Sequence, residues 1–470
     1  MRKKIIKSRG IGVVLVMVAS CSVGPDYKRP DSMDQATPVW EDAKQEQLDP
    51  AKVVQFDWWQ TFNDPKLKEL IVEAVSDSFD LKILFGRIRA AGAMVDSKQS
   101  DLFPKADATS SATFSQKDGE GDSQFIESGV GITLELDFWG KARKGVKASK
   151  AEHKALEAEY RAGYLKLVSD VAVCYFTILQ YDRQLVTSNN FLANHQIILA
   201  IYEAQYKAGI VGKDKVLREK ASLAEIKQDG LEITRSRKIQ EHKIATLLGK
   251  PTGLIRVDQS HAATRATLVD VPVGLPSDLL QRRPDLVAYE YRLLRATQEI
   301  GIAEAARFPS ISLTAKGGLA SAALNSLLSG GVISIMPQLN LPLFDGGSRK
   351  AEVKRKVAEA DVAKYKYAKA INVAFQEVSD SLTNIASRKE QRTVLAERVL
   401  NLEEVQGQIQ RKLELGLISQ LEILDVELNL YTAKKDLDKL DTNLLSDTIA
   451  LYKALGGGWP KEIIAENMKN

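Results

Sequence analysis

Four stretches of the chain alternate between apolar and polar residues, the pattern of a strand with two different faces. In one, Val130, Ile132, Leu134, Leu136 and Phe138 are apolar and Thr133, Glu135 and Asp137 lie between them. In another, Ile333, Ile335, Leu339, Leu341 and Leu343 alternate with Ser334, Gln338 and Asn340. A third sets Ile311, Leu313 and Ala315 against Ser310, Ser312, Thr314 and Lys316, and a weaker one has Ala106, Ala108, Ala112 and Phe114 on one side. The strands are expected over 104–118, 123–138, 309–320 and 331–344. Elsewhere the period is helical. Leu165, Val168, Ala172, Tyr175 and Leu179 follow three-four spacing in a stretch from Lys141 to Lys207 that contains no proline. Ile371, Ala374, Val378, Leu382 and Ile385 do the same between Arg349 and Leu413. A helix of the first length would run roughly 100 Å. Shorter helices are predicted over 64–100 and 284–305.

These elements occur twice in one order. Phe103-Pro104 returns as Phe308-Pro309, Leu134-Glu135-Leu136 as Leu339-Asn340-Leu341, Gly209 as Gly416, and Leu248-Gly249 as Leu455-Gly456. The predicted organisation is a signal segment (1–20), an anchor and extended arm (21–62), a first repeat (63–250) with a tip near 209, a linker (251–283), a second repeat (284–457) with a tip near 416, and a C-terminal segment (458–470). Each strand is about as long as a tilted membrane strand, which needs roughly 9 to 11 residues. Four strands form an open sheet, and an open edge in lipid leaves backbone groups unpaired, so a membrane sheet of this kind must close through copies of the chain. Three copies give twelve strands and room for a water-filled lumen. A soluble sandwich would show the same alternation.

The N-terminus places the chain. Arg2, Lys3, Lys4, Lys7 and Arg9 precede a short apolar stretch, Ile11 to Val18, too short to span a bilayer. Val18-Ala19-Ser20-Cys21 resembles a lipobox, with Cys21 as the lipidated residue. No later apolar run is expected to reach membrane-spanning length. Of 65 Lys+Arg and 61 Asp+Glu in 470 residues, five bases lie in the signal, which leaves 60 against 61 and removes support for a nucleic-acid partner. Cys174, the other of two cysteines, is expected to be a core thiol.

Candidate chemistry is sparse. His153, His195, His242 and His261 show no metal-ligand spacing, and no cofactor is expected beyond the covalent lipid on Cys21. The stretch GKARKGVK (140–147) lacks the end of a phosphate loop. Lys141, Arg143, Lys144 and Lys147 are read as a basic collar or as a solvated face. The chain is not expected to be an enzyme.

WWQTFNDPKLKELI (58–71), LELDFWGKAR (134–143), LPSDLLQRRPDL (275–286), LNLPLFDGGSRKAEV (339–353) and LYKALGGGW (451–459) together resemble the TolC-like outer-membrane factor family, in its OprM/NodT-type lipoprotein branch. The resemblance implies a mainly α fold with a membrane β part: a homotrimer with a twelve-stranded outer-membrane barrel, four strands per chain. A twelve-helix periplasmic barrel continues it, with an equatorial belt. It implies an efflux duct served by a periplasmic adaptor and an inner-membrane transporter of the RND or a similar type. A duct for type I protein secretion and a non-conducting scaffold lipoprotein are the alternatives. Trp139 and Phe344 are expected as interfacial aromatics, and Leu134 and Leu341 as mid-strand residues facing lipid. The family's leucine-aspartate gate pair maps through GLISQLEILD onto Leu421 and Asp425, with Glu422 and Asp214 nearby. Arg218 occupies the place in the first repeat that Asp425 holds in the second, so links of Arg218 with Asp425 or Glu422 are expected to hold the gate shut. The alternative is that these are solvated tip charges. Gly209 and Gly416 mark the hairpin tips and the expected adaptor contact.

Overall fold

The computed structural model describes residues 22–29, 57–117, 120–255, 257, 282–321, 331–418 and 421–457, with backbone alone at 115–117, 120–124, 421, 422 and 424. The signal segment, Cys21, most of the arm, most of the linker and the segment after 457 lie outside the described residues.

A short 3-10 turn, Trp58–Phe62, leads into α1 (Pro65–Asp77) and α2 (Phe79–Ser100). Then follow β1 (Lys105–Lys117), β2 (Glu120–Leu136), α3 (Lys141–Lys207) and α4 (Lys213–Leu247). The second half contributes α5 (Pro284–Ala305), β3 (Ser310–Ser321), β4 (Gly331–Asn340), α6 (Ser348–Glu414) and α7 (Leu421–Ala454). The chain is mainly helical, with four antiparallel strands in the order β1-β2-β3-β4.

The single helix expected over 64–100 is broken at Ser78, whose ψ of 125° leaves the helical region. The break has a steric use. The Asp77 carbonyl lies where a Cβ on Gly249 would come within 2.6 Å of it, so the end of α4 approaches the break closely. At the other end of α1 the Asp64 carboxylate accepts the amides of Lys66 and Leu67 at 2.9 and 3.1 Å, with Pro65 at the first helical position. Its second oxygen accepts the hydroxyl of Tyr175 at 2.8 Å. One carboxylate thus caps a helix and ties it to α3.

The strand register sorts side chains by face. Ala106, Ile132, Ala315 and Ile335 form one cross-strand row, and Ala108, Val130, Gly317 and Ile333 the next. On the opposite face Lys105, Thr133, Thr314 and Met336 line up, followed by Asp107, Gly131, Lys316 and Ser334. Thr133 and Thr314 bring their hydroxyls within 3.3 Å. The apolar face is left bare: Ile333 is 88 % and Ile335 69 % exposed. β2 and β3 meet at Gly129 and Gly318, where a Cβ on Gly318 would lie 2.4 Å from the Ser128 carbonyl.

Two expectations about the strands are corrected. β4 ends at Asn340, before Leu341 and Leu343, because Pro342 offers no amide to a ladder. Leu134 pairs with Leu313 only two residues from the end of β2. Mid-sheet positions on the apolar face therefore belong to Val130, Ile132, Ile333 and Ile335.

The chain divides into two compact units, each drawing on both repeats. The first combines residues 1–33, 85–158 and 285–370 and contains the sheet; the second combines 34–84, 159–284 and 371–470 and contains both helical hairpins. In the second unit the expected seam is the core. Leu165, Val168, Ala172, Tyr175 and Leu179 are buried, as are Ile371, Ala374, Val378 and Leu382, while Ile385 is half-buried. Cys174 is a free, buried thiol that burial pushes up. Contrary to expectation, α3 contains an 18-residue window of mean hydropathy 1.4, long enough to cross a membrane, and 67 % of it is buried within the protein. Its apolar residues serve a protein core on several sides rather than one stripe.

Candidate functional site

The strands give way to the long helices through two matching caps. The Asp137 carboxylate accepts the amides of Ala142 and Arg143 at 3.1 and 2.9 Å, and Asp345 accepts those of Gly347 and Arg349 at 2.9 and 3.1 Å. These amides hold the Asp345 carboxyl below its ordinary range. Trp139 stacks on Phe308 with ring centroids 4.7 Å apart and donates its indole Nε1 to the Pro309 carbonyl at 2.7 Å. It is half-buried at the junction of the two repeats and is not a free interfacial aromatic, whereas Phe344 is 93 % exposed. The basic collar is also corrected. Lys144 is buried and donates to the Pro25 carbonyl at 3.3 Å, Arg143 pairs with Asp137, and only Lys141 and Lys147 are exposed.

At the far ends of the long helices the chain turns twice in the same way. Gly209 donates its amide to Tyr206 and Ile210 to Gln205, at 3.0 and 2.9 Å; Gly416 donates to Leu413 and Leu417 to Lys412, both at 2.9 Å. Each is the paired bond set of a Schellman turn, and each glycine has the left-handed φ that the turn demands, 71° and 70°. The turns present bare apolar side chains: Ile210, Leu415 and Leu417 are all more than two-thirds exposed.

Beyond these tips lie the expected gate residues. Asp214 is in the first turn of α4, and Arg218 follows one turn later; both are exposed. Asp425 is exposed on α7, and its backbone carbonyl accepts the Asn429 side-chain amide at 2.8 Å. Leu421 begins α7, and its side chain and that of Glu422 lie outside the described residues. Among the described residues of the single chain neither Arg218 nor Asp425 is in an ion pair, so within one copy they are not brought together.

A series of buried polar contacts links the helices behind the tips. Ile198, Tyr202 and Val216 pack as one apolar cluster, and Phe191, Ile226 and Tyr431 as another. Lys435 of α7 bonds both oxygens of Asp229 on α4, at 2.7 and 2.6 Å. Arg183 of α3 reaches Asp438 of α7 at 3.1 Å. Arg237 of α4 grips Asp182 of α3 at 2.5 and 3.3 Å, Glu241 at 2.7 Å and the Val257 carbonyl at 2.7 Å. Burial pushes the Asp182 carboxyl up and the guanidinium opposes it. The sequence hint for these pairs was charge inside apolar helix stretches, as at Asp182 and Arg183; partner identities had no local signal. A groove of about 1160 Å³ runs beside this contact, lined by Val186, Leu192, Ile226, Leu231 and Lys238 among others.

A two-faced strand set joined by capped junctions to helical hairpins with matching tips is the design of a membrane channel subunit. The outer membrane efflux protein family model matches residues 70–250 and 275–457, and the chain belongs to that family. It is accordingly a transport protein of the outer membrane and not an enzyme. Among relatives, the toluene efflux pump outer membrane protein TtgC of Pseudomonas putida is 30 % identical over 463 residues, 96 % of this chain and 95 % of that protein. The cation efflux system protein CusC of Escherichia coli is 29 % identical over 456 residues, covering 95 % and 97 %. The solved outer-membrane channel OprN superposes with a TM-score of 0.85 at 27 % identity, over 93 % of this chain and 100 % of that one.

Proposed function

We propose that the chain is the exit duct of a tripartite efflux pump, active as a lipid-anchored homotrimer. It receives cargo from an inner-membrane transporter through a periplasmic adaptor. The observation that carries this is the bare apolar face of a sheet whose outer strands, β1 and β4, lie at its edges. Such a face suits lipid and such edges do not, and a ring of three copies satisfies both. Relatives named for toluene and for cation efflux are about equally similar to this chain. Those cargoes share no recognition chemistry, which supports a duct that leaves the choice of cargo to the transporter.

The tips form the resting gate in this reading, with Leu421 and Asp425 at the constriction. Glu422, Asp214 and Arg218 stand near it, and Gly209 and Gly416 mark the adaptor contact. Exposed charge pairs are individually weak, and links of Arg218 to Asp425 or Glu422 between hairpins would bias closure without locking it. Single-channel recording in a planar bilayer tests the proposal. Wild type should conduct weakly, the double variant Leu421→Ala with Asp425→Ala should conduct strongly, and Lys439→Ala on the exposed side of α7 should match wild type. Unchanged conductance in the double variant removes this gate, and absence of channels in all three removes the duct.

A further inference from the structure

Behind the tips, one polar side chain from each long helix enters the same layer. His195 of α3 places Nδ1 2.7 Å from Oε1 of Glu219 on α4. Glu427 of α7 accepts a bond from the side chain of Gln406 on α6 at 3.4 Å. His195, Glu219 and Glu427 are 4 %, 3 % and 7 % exposed. The remaining polar atoms, Nε2 of His195 and Oε2 of Glu427, are buried without a hydrogen-bond partner. Buried polar groups are seldom left so, since each unpaired one costs about 1 to 3 kcal/mol.

Among the described residues the surroundings offer no fixed positive charge paired with the cluster. Phe191 meets the His195 ring edge to face and stacks on Tyr431. Tyr202, on α3, faces Glu219 and is raised by burial. The neighbouring lysines are engaged elsewhere, Lys220 with Glu203 and Lys435 with Asp229. Among the described residues no lysine or arginine pairs with Glu219 or Glu427. Two carboxylates and one imidazole therefore share one buried layer.

We propose that His195, Glu219 and Glu427 form a proton-operated latch that ties the two helical hairpins together near their tips, tight when Glu427 holds its proton and loosened as pH rises. Burial raises the Glu427 carboxyl above its usual range, with the nearby His195 opposing and Glu219 adding to the rise. A carboxyl raised in the folded state holds its proton more tightly there. Its contribution is thus present in acid and lost as pH climbs through the raised value.

The latch relies on the gate reading only for its effect on conductance, and hydrogen exchange tests it separately. Full-length protein in detergent is compared at about pH 4.5, near the ordinary carboxylate value, and at about pH 8, after correction for intrinsic exchange. Wild-type amides in 195–202, 216–223 and 423–431 should lose protection at the higher pH, by up to about tenfold for one unit of pKa difference. Glu427→Gln, which keeps the shape and removes the charge, should stay protected at both. His195→Gln should be loose at both. Equal wild-type protection at the two pH values, or a pH response retained in Glu427→Gln, overturns the latch. If exchange responds as expected while resting conductance does not, the latch stands and the gate reading falls.

Discussion

Trp139, at the end of the first repeat's strands, donates its indole N–H to the carbonyl of Pro309, at the start of the second repeat's, across 2.7 Å. The bond crosses 170 residues of sequence and closes the two repeats on each other beside β2 and β3. The stacked Phe308 ring shields it. Trp139→Phe keeps the stacking and removes the donor, which leaves the Pro309 carbonyl unpaired. The bond is half-buried, so the expected loss is about 0.5 to 1.5 kcal/mol, read as a lower unfolding temperature of the detergent-solubilised protein, with Phe344→Leu as a comparison that should change it little.

The two faces of the sheet should answer differently to charge. Ile335→Lys, at the middle of β4 on the apolar face, should cost roughly 2 to 4 kcal/mol per chain in lipid. Thr314→Lys, on the polar face, should be tolerated. Heat resistance of the oligomer on gels and the amount recovered from outer membranes separate the two; equal loss from both variants would mean that the apolar face does not meet lipid.

Removing one partner from the Asp182–Arg237 contact should be severe, because a buried charge is then left alone. Arg237→Ala is expected to cost about 3 to 5 kcal/mol, and the joint replacement Asp182→Leu, Arg237→Met and Glu241→Gln, which leaves neither carboxylate alone, far less. Arg235→Ala, which removes an exposed pair with Glu232, should leave denaturant unfolding unchanged. A triple variant as unstable as Arg237→Ala would show that the ion pairs themselves, and not the orphaned carboxylates, carry the stability.

Lipid attachment is a chemical prediction. Metabolic labelling with palmitate should mark the wild type and not Cys21→Ala. Equal labelling of both would exclude Cys21 as the anchor.

Much of this was legible before any coordinates. Alternation in 130–138 and 333–339 assigned the apolar face of the sheet, since a strand displays its two faces at every second residue. The repeat put Gly209 and Gly416 in equivalent turns, and both have the left-handed backbone that favours glycine. The uninterrupted three-four pattern sets the span of α3, although one seam of spacing does not show that a window of the helix is apolar enough to cross a membrane. Strand ends were less legible: the alternation runs through Leu341 and Leu343, yet the ladder stops at Asn340, because side-chain pattern says nothing of whether a backbone amide has a partner.

Tertiary structure alone decided which polar groups meet. Lys144 resembles its exposed neighbours Lys141 and Lys147 in the sequence, but its stem lies over Gly301, where a Cβ would come within 2.4 Å of it, and its ammonium reaches the Pro25 carbonyl. The break at Ser78 has its steric use in Gly249, far along the chain. His195 read as one of four scattered histidines until the packing of α3, α4, α6 and α7 brought Glu219, Glu427 and Gln406 to its layer. Periodicity records how a residue relates to its own helix or strand. The choice of partner is made by packing between elements distant in sequence, and the consequences of burying charge follow from that choice.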